Sequence, residues 1–119
     1  MQVESIGTGK GKGYTCNVPL QAGIRDQPYL DLFRPIADAA REAFAPAAIV
    51  LQCGADALTR DPLGELNLTT DCFAAVVRHV QAWQLPLLIL GGGAPQTTPL
   101  QMYSIHPVLC GTQCAFGMG

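Results

Sequence analysis

Two carboxylates and a run of glycines are the residues of this chain best placed to do chemistry. In LQCGADALTRDPLGELNLT, residues 51–69, an apolar stretch gives way to Asp56 and Asp61 on either side of Arg60. Further on, LPLLILGGG, residues 85–93, runs from apolar residues straight into glycines. A carboxylate just past the end of a buried strand can serve as a ligand. The same Asp can equally cap its own turn, the commoner use of the residue in loops. The two histidines, His79 and His106, read as a solvated helix side chain and a loop residue rather than as ligands. Cys110 and Cys114 with His106 have the outline of a metal clip, but no fourth ligand stands at a set spacing. GTGKGKG, residues 7–13, has its glycines and lysines in the wrong order for a phosphate loop, and no strand precedes it.

The elements that must position these residues alternate between helix-like and strand-like patterns. YTCNVPL (14–20) alternates and ends near Pro19, as an edge strand would. DQPYLDLFRPIADAAREAF (26–44) offers Asp26 as N-cap and Pro28 in the first turn, with Tyr29, Phe33, Ile36, Ala40 and Phe44 at helical spacing and a kink expected at Pro35. AAIVLQC (47–53) is short and continuously apolar, the pattern of a strand buried on both faces in a parallel sheet. TTDCFAAVVRHVQAW (69–83) starts at a Thr cap and gathers Phe73, Val76, Val77, Val80 and Trp83 on one side of a helix. LPLLILGGG is a second apolar strand. Helix, strand, helix, strand with helix-length connections predicts right-handed βαβ packing and a partial doubly wound parallel α/β sheet with flanking helices. In such sheets ligands gather beyond the carboxyl ends of the strands, and both Asp56 and Gly91 fall there. If the two strands are neighbours, acid and glycines share one crevice.

Composition narrows the class. With 49% hydrophobic and 13% charged residues over 119 positions, the chain is apolar enough to bury the core of one domain. Its 13 glycines and 9 prolines cluster at 7–13, 91–99 and 107–119, which predicts irregular ends. A net charge of −2 provides no electrostatic footprint for nucleic acid or an anionic membrane. Polar residues follow Met1 and no apolar run approaches the ~18 residues of a membrane-spanning helix, so the chain reads as soluble and intracellular. The five cysteines are odd in number and irregular in spacing, which fits free thiols, with Cys53 and Cys72 buried and inert.

The stretches GKGYTCNVPL, YLDLFRPIADAAREAFAPAAIVLQCGADALTRDPLGELNLT and WQLPLLILGGG, taken together, resemble the C-terminal part of the catalytic domain of the zinc-dependent histone deacetylases, nearest the class I type. The order strand, G-A-D, R-D-P-L-G, N-L-T, then strand plus glycines is a specific match covering residues 7–94. The resemblance implies an arginase–deacetylase α/β fold for residues 1–93, a divergent tail over 94–119, and hydrolysis of the acetyl-lysine amide of histones or other proteins.

Carried over residue by residue, the resemblance makes Asp56 a zinc ligand and Asp61 a loop residue. Leu63, with Gly92 and Gly93, would line the substrate, and the Tyr14 backbone carbonyl would join a potassium site. It also implies a nuclear or cytoplasmic protein with corepressor partners, no direct nucleic-acid contact and no membrane association. Pro62 replaces an arginine that in several members binds inositol phosphate with a corepressor, which removes that contact here.

The departures bear on activity. The family's adjacent His-His pair and Asp-x-His zinc motif are not in this sequence, and Pro95 stands where the family places its oxyanion-donating tyrosine after the glycines. Tyr103, eight residues on, is a poor substitute. A single carboxylate does not make a catalytic zinc site, which takes three protein ligands and an open position. Two readings of different class stand: part of a zinc-dependent deacetylase that is not competent as this chain alone, or a truncated or frame-shifted remnant that at most binds a protein partner. The tail suggests a displaced frame. Gln101-Met102-Tyr103, read one nucleotide on, encodes Lys or Arg followed by Cys, and the family carries Ala-Arg-Cys near that distance after its glycines.

Overall fold

The computed structural model describes residues 4–59 and 64–92. A 3-10 turn, Gly9–Gly11, precedes helix α1, Asp26–Phe44; strand β1, Ile49–Gly54, a second 3-10 turn, Ala55–Ala57, helix α2, Thr70–Gln81, and strand β2, Leu87–Gly92, complete the described part. β1 and β2 are parallel neighbours in register from Ile49 opposite Leu87 to Gly54 opposite Gly92. The helix, strand, helix, strand order read from periodicity is the order found, and the unit is a partial parallel α/β fold.

Helix α2 forms where its pattern places it. Thr69 is the N-cap, and its hydroxyl accepts the Asp71 N–H at 3.2 Å. Cys72, Phe73, Val76, Val77 and Val80 turn inward. Phe73 and Val77 pack with Cys53, Ala55 and Leu58 against Leu51 and Ile89, joining the helix to one face of the sheet. Cys72 and Val76 pack with Leu30 and Leu68 against Tyr29 and Phe33, joining α2 to α1. Complete burial of Val77, at 0% exposure, contributes on the order of 1.5–3 kcal/mol relative to leaving it in water.

Helix α1 starts one residue away from the expected frame. Arg25, not Asp26, occupies the N-cap position and makes no side-chain cap; Asp26 is in the first turn, where its charge suits the helix dipole. Its carboxylate is spent on α2: Oδ1 accepts the Thr69 N–H at 2.8 Å and Oδ2 accepts the Thr69 hydroxyl at 2.5 Å. The helix is continuous through Pro35, an exposed position, and ends at Ala45 in the left-handed region, followed by Pro46, whose missing N–H cannot extend it.

Two expectations are corrected. Residues 14–20 form no strand; they lie along the N-terminal segment, where Thr15 and Asn17 side chains donate to the Ser5 carbonyl at 3.2 and 2.7 Å. A strand needs a neighbouring ladder, and the described sheet consists of β1 and β2 alone. Nor are the two strands buried on both faces. Among the described residues helices pack on one face only, and Val50, Leu88 and Leu90 on the other are 65%, 56% and 44% exposed.

Candidate site at the carboxyl edge of the sheet

The parallel register brings the sequence's two chemical features together. β1 and β2 both end at the same level, Gly54 opposite Gly92, and Asp56 follows in the 3-10 turn that caps β1. The acid and the glycines therefore share the carboxyl edge, where the fold gathers ligands. The turn is pinned on both flanks. Ala55 and Leu58 are buried, the Leu58 N–H donates to the Ala55 carbonyl at 3.1 Å, and Leu58 bridges to Leu68. The Thr59 N–H and hydroxyl both donate to the Leu68 carbonyl, at 2.9 and 3.1 Å, and the Leu68 N–H donates to the Ala57 carbonyl at 3.3 Å. Of the two residues between the buried anchors, Ala57 is half-buried and Asp56 is exposed.

Side chains lie close over the two glycines at this edge. A Cβ at Gly54 would collide with Asp56 Oδ1, so glycine at 54 is what lets the carboxylate fold back over the strand end. At Gly92 a Cβ would sit 3.3 Å from Gln52 Nε2 and 3.9 Å from the Gly54 Cα. Among the described residues the Asp56 carboxylate accepts no hydrogen bond, so within them it does not serve as the cap of its own loop.

Tyr14 is 72% exposed and meets Phe44 at the end of α1 edge-to-face at 6.2 Å. Leu63 and Gly93, with Arg60, Asp61, Pro62, Pro95, Tyr103, His106, Cys110 and Cys114, lie outside the described residues. A cavity of about 1020 Å³ opens among residues 19–28, Leu32, Thr59, Asn67 and Thr69, and Asp56 is not in its wall. Among the described residues no three His, Cys, Asp or Glu side chains converge, so these residues by themselves do not fit the three-ligand requirement of a catalytic zinc.

His79 corrects the solvated-histidine reading. It is half-buried between the helices, with Nε2 at 3.0 Å from Asp38 Oδ1, and the same oxygen accepts the Trp83 indole N–H at 2.9 Å. Phe33 and Trp83 flank the imidazole edge-on, and the Arg41 guanidinium lies 5.6 Å from the Trp83 ring centre. Desolvation pushes the Asp38 carboxyl up, but the hydrogen bonds from Trp83 and His79, with the charges of His79 and Arg41, win and hold it below the ordinary aspartate value. Sequence periodicity missed this cluster; the signal available was that a half-buried Trp needs an acceptor. Burial raises the Cys72 thiol to about 11, reinforced by the Asp26 charge and opposed by Arg34, and burial also pushes up Cys53. Both thiols stay protonated at neutral pH, in keeping with inert core cysteines.

A family model described as histone deacetylase domain matches residues 1–103. The chain is 50% identical over 91 residues to probable histone deacetylase 19 of Zea mays and to histone deacetylase 1 of Oryza sativa subsp. japonica, covering 76% of this chain and 18% of each relative. It is 47% identical over the same length to histone deacetylase 1 of Homo sapiens, 19% of which is covered. The chain thus spans about a fifth of the length of the curated relatives it matches.

Proposed function

The chain belongs to the histone deacetylase family, and from that premise we propose that it is part of a zinc-dependent protein lysine deacetylase, one that hydrolyses the acetyl-lysine amide. In this reading it contributes a single metal-ligating carboxylate, Asp56, to a site completed by residues outside this sequence. One observation carries the assignment: the Asp56 carboxylate is presented beside Gly54 and Gly92 at the carboxyl edge of a parallel pair, with no hydrogen bond to it among the described residues. A turn built for its own stability would use that carboxylate internally.

The rest of the assignment follows the family. Leu63, Gly92 and Gly93 line the acetyl-lysine, and the Tyr14 carbonyl joins a potassium site. Zinc is the cofactor, acetylated histone or another acetylated protein is the substrate, corepressor proteins are partners, and the nucleus or cytoplasm is the location. The divergent tail begins at residue 94, where Ala94-Pro95 replaces the glycine and the oxyanion-donating tyrosine of the family, although the family model carries on to residue 103. Proline brings no side-chain donor to a developing oxyanion, so this chain does not stabilise that charge at residue 95. Sequencing the coding locus tests the displaced-frame origin of the tail: the other frame must continue as a deacetylase.

A second reading, a non-catalytic remnant that at most binds a protein partner, is favoured by the same proline and by the lone carboxylate of the described donor set. A graft separates the two. Residues 4–92 replace the matched stretch of the human relative, and turnover of an acetyl-lysine peptide is measured. Turnover that Asp56→Ala abolishes without unfolding the graft supports the deacetylase reading; a folded but inactive graft supports the remnant. The purified chain alone is expected to show neither stoichiometric zinc nor turnover.

A further inference from the structure

We infer that Gln52 bounds the acyl end of the substrate site and so sets the length of acyl group that is accepted; this rests on the deacetylase reading above. Side chains alternate along a strand, so Val50, Gln52 and Gly54 of β1 share one face of the pair with Leu88, Leu90 and Gly92 of β2. Val50, Leu88 and Leu90 are apolar. Gln52 is the exception in that row, and it stands beside the two glycines that end the face.

Gly54 and Gly92 leave bare backbone at the carboxyl edge, and two side chains reach over it. A Cβ at Gly54 would collide with Asp56 Oδ1, so the carboxylate lies on the same face as Gln52. A Cβ at Gly92 would stand 3.3 Å from Gln52 Nε2 and 3.9 Å from the Gly54 Cα. Chain neighbours apart, no other side chain among the described residues comes within 4 Å of either position. Nor does a hydrogen bond among them occupy the Gln52 amide. A floor of two glycines is thus bracketed by a carboxylate over one and an uncommitted amide over the other, and glycine in a strand lets a ligand approach the backbone closely.

In the deacetylase reading Asp56 ligates the metal that polarises the acyl carbonyl, which places the acyl group beside this carboxylate. The alkyl end of that group lies against the glycine floor, and the side chain limiting its extension across the floor is Gln52. An acetyl group has one methyl beyond its carbonyl, and each further methylene must displace the amide. A neutral carboxamide sets that limit by volume rather than by charge. Discrimination of one methylene by such a wall amounts to roughly 10–200-fold in kcat/KM.

The test uses the graft of residues 4–92 in the human relative, with peptides carrying acetyl-lysine or butyryl-lysine. Gln52→Ala clears the space over Gly92 and should raise the butyryl-to-acetyl ratio of kcat/KM about tenfold or more. Gln52→Leu, close to glutamine in volume, should keep the ratio within about threefold of the unsubstituted graft. Gln52 is exposed in the isolated chain, so neither substitution opens a core cavity. Melting temperatures and zinc content should therefore match across the three proteins. An unchanged ratio in Gln52→Ala, or an equal shift in Gln52→Leu, overturns the inference and leaves the deacetylase reading in place. A second measurement covers a graft that folds without turnover: calorimetric binding of the two peptides, where Gln52→Ala must favour the butyryl peptide over the acetyl one by about tenfold. Equal effects on both peptides overturn the inference, and binding of neither overturns it together with the reading it rests on.

Discussion

Asp26, in the first turn of α1, caps the helix that begins beyond Thr69, 43 residues later: its two carboxylate oxygens accept the Thr69 N–H at 2.8 Å and the Thr69 hydroxyl at 2.5 Å. Thr69 in turn accepts the Asp71 N–H, so the start of α2 hangs on a relay from α1. Asp26→Ala and Thr69→Ala should each destabilise the chain by about 1–2 kcal/mol. Because both remove one relay, the double variant should cost less than the sum of the singles. Urea unfolding of the four chains checks this, and additive losses would show the two residues acting separately.

The Asp38 clamp predicts an acid limit. A carboxyl held below its ordinary value stabilises the fold above the unfolded-state pKa, near 4, and that contribution is lost as pH falls through the lower folded value. Trp83, the single tryptophan, donates its indole N–H to this carboxylate at 2.9 Å and reports the loss. Its fluorescence should change below about pH 4, and Asp38→Asn should remove the acid transition.

Thiol chemistry should separate the described cysteines. Cys16 is exposed, whereas Cys53 and Cys72 are buried with raised pKa values. In a Cys110→Ser, Cys114→Ser background, a maleimide at pH 7.5 should label Cys16 promptly and the other two only after unfolding. The raised Cys72 pKa also means stability that is intact below the ordinary thiol value of 9 and lost as pH rises toward about 11. Rapid labelling of Cys72 in the folded chain would contradict its burial.

Leu68 and Leu88 are the same residue type in opposite surroundings, at 1% and 56% exposure. In the isolated chain Leu68→Ala should cost about 2–5 kcal/mol through the cavity it leaves, and Leu88→Ala less than about 0.5 kcal/mol. Denaturant midpoints compare them directly.

Gly54→Ala places a methyl group against the Asp56 carboxylate. Within the graft of residues 4–92 it should leave folding intact and lower deacetylation about tenfold or more by moving the carboxylate off its position. Unchanged turnover would mean that the position of Asp56 over Gly54 is unimportant.

Local pattern carried much of this molecule in the sequence. The spacing of Phe73, Val76, Val77 and Val80, the Thr69 cap, and the apolar runs before Gly54 and Gly92 identify α2 and the two strands without any knowledge of their neighbours. These features depend on one helix face or one strand, which adjacent residues suffice to define. The family, too, was legible, because its motifs are contiguous.

Tertiary structure alone decided which partners the polar side chains found. Asp26 reads as a cap for its own helix and serves another; His79 reads as solvated and is fastened to Asp38 and Trp83. Both outcomes depend on how α1 lies against α2, across more than 40 residues of chain, and local spacing holds no information about that. The same holds for the strands. Their composition announces burial on both faces, but burial requires a second layer in place, and among the described residues only one face of the sheet has it.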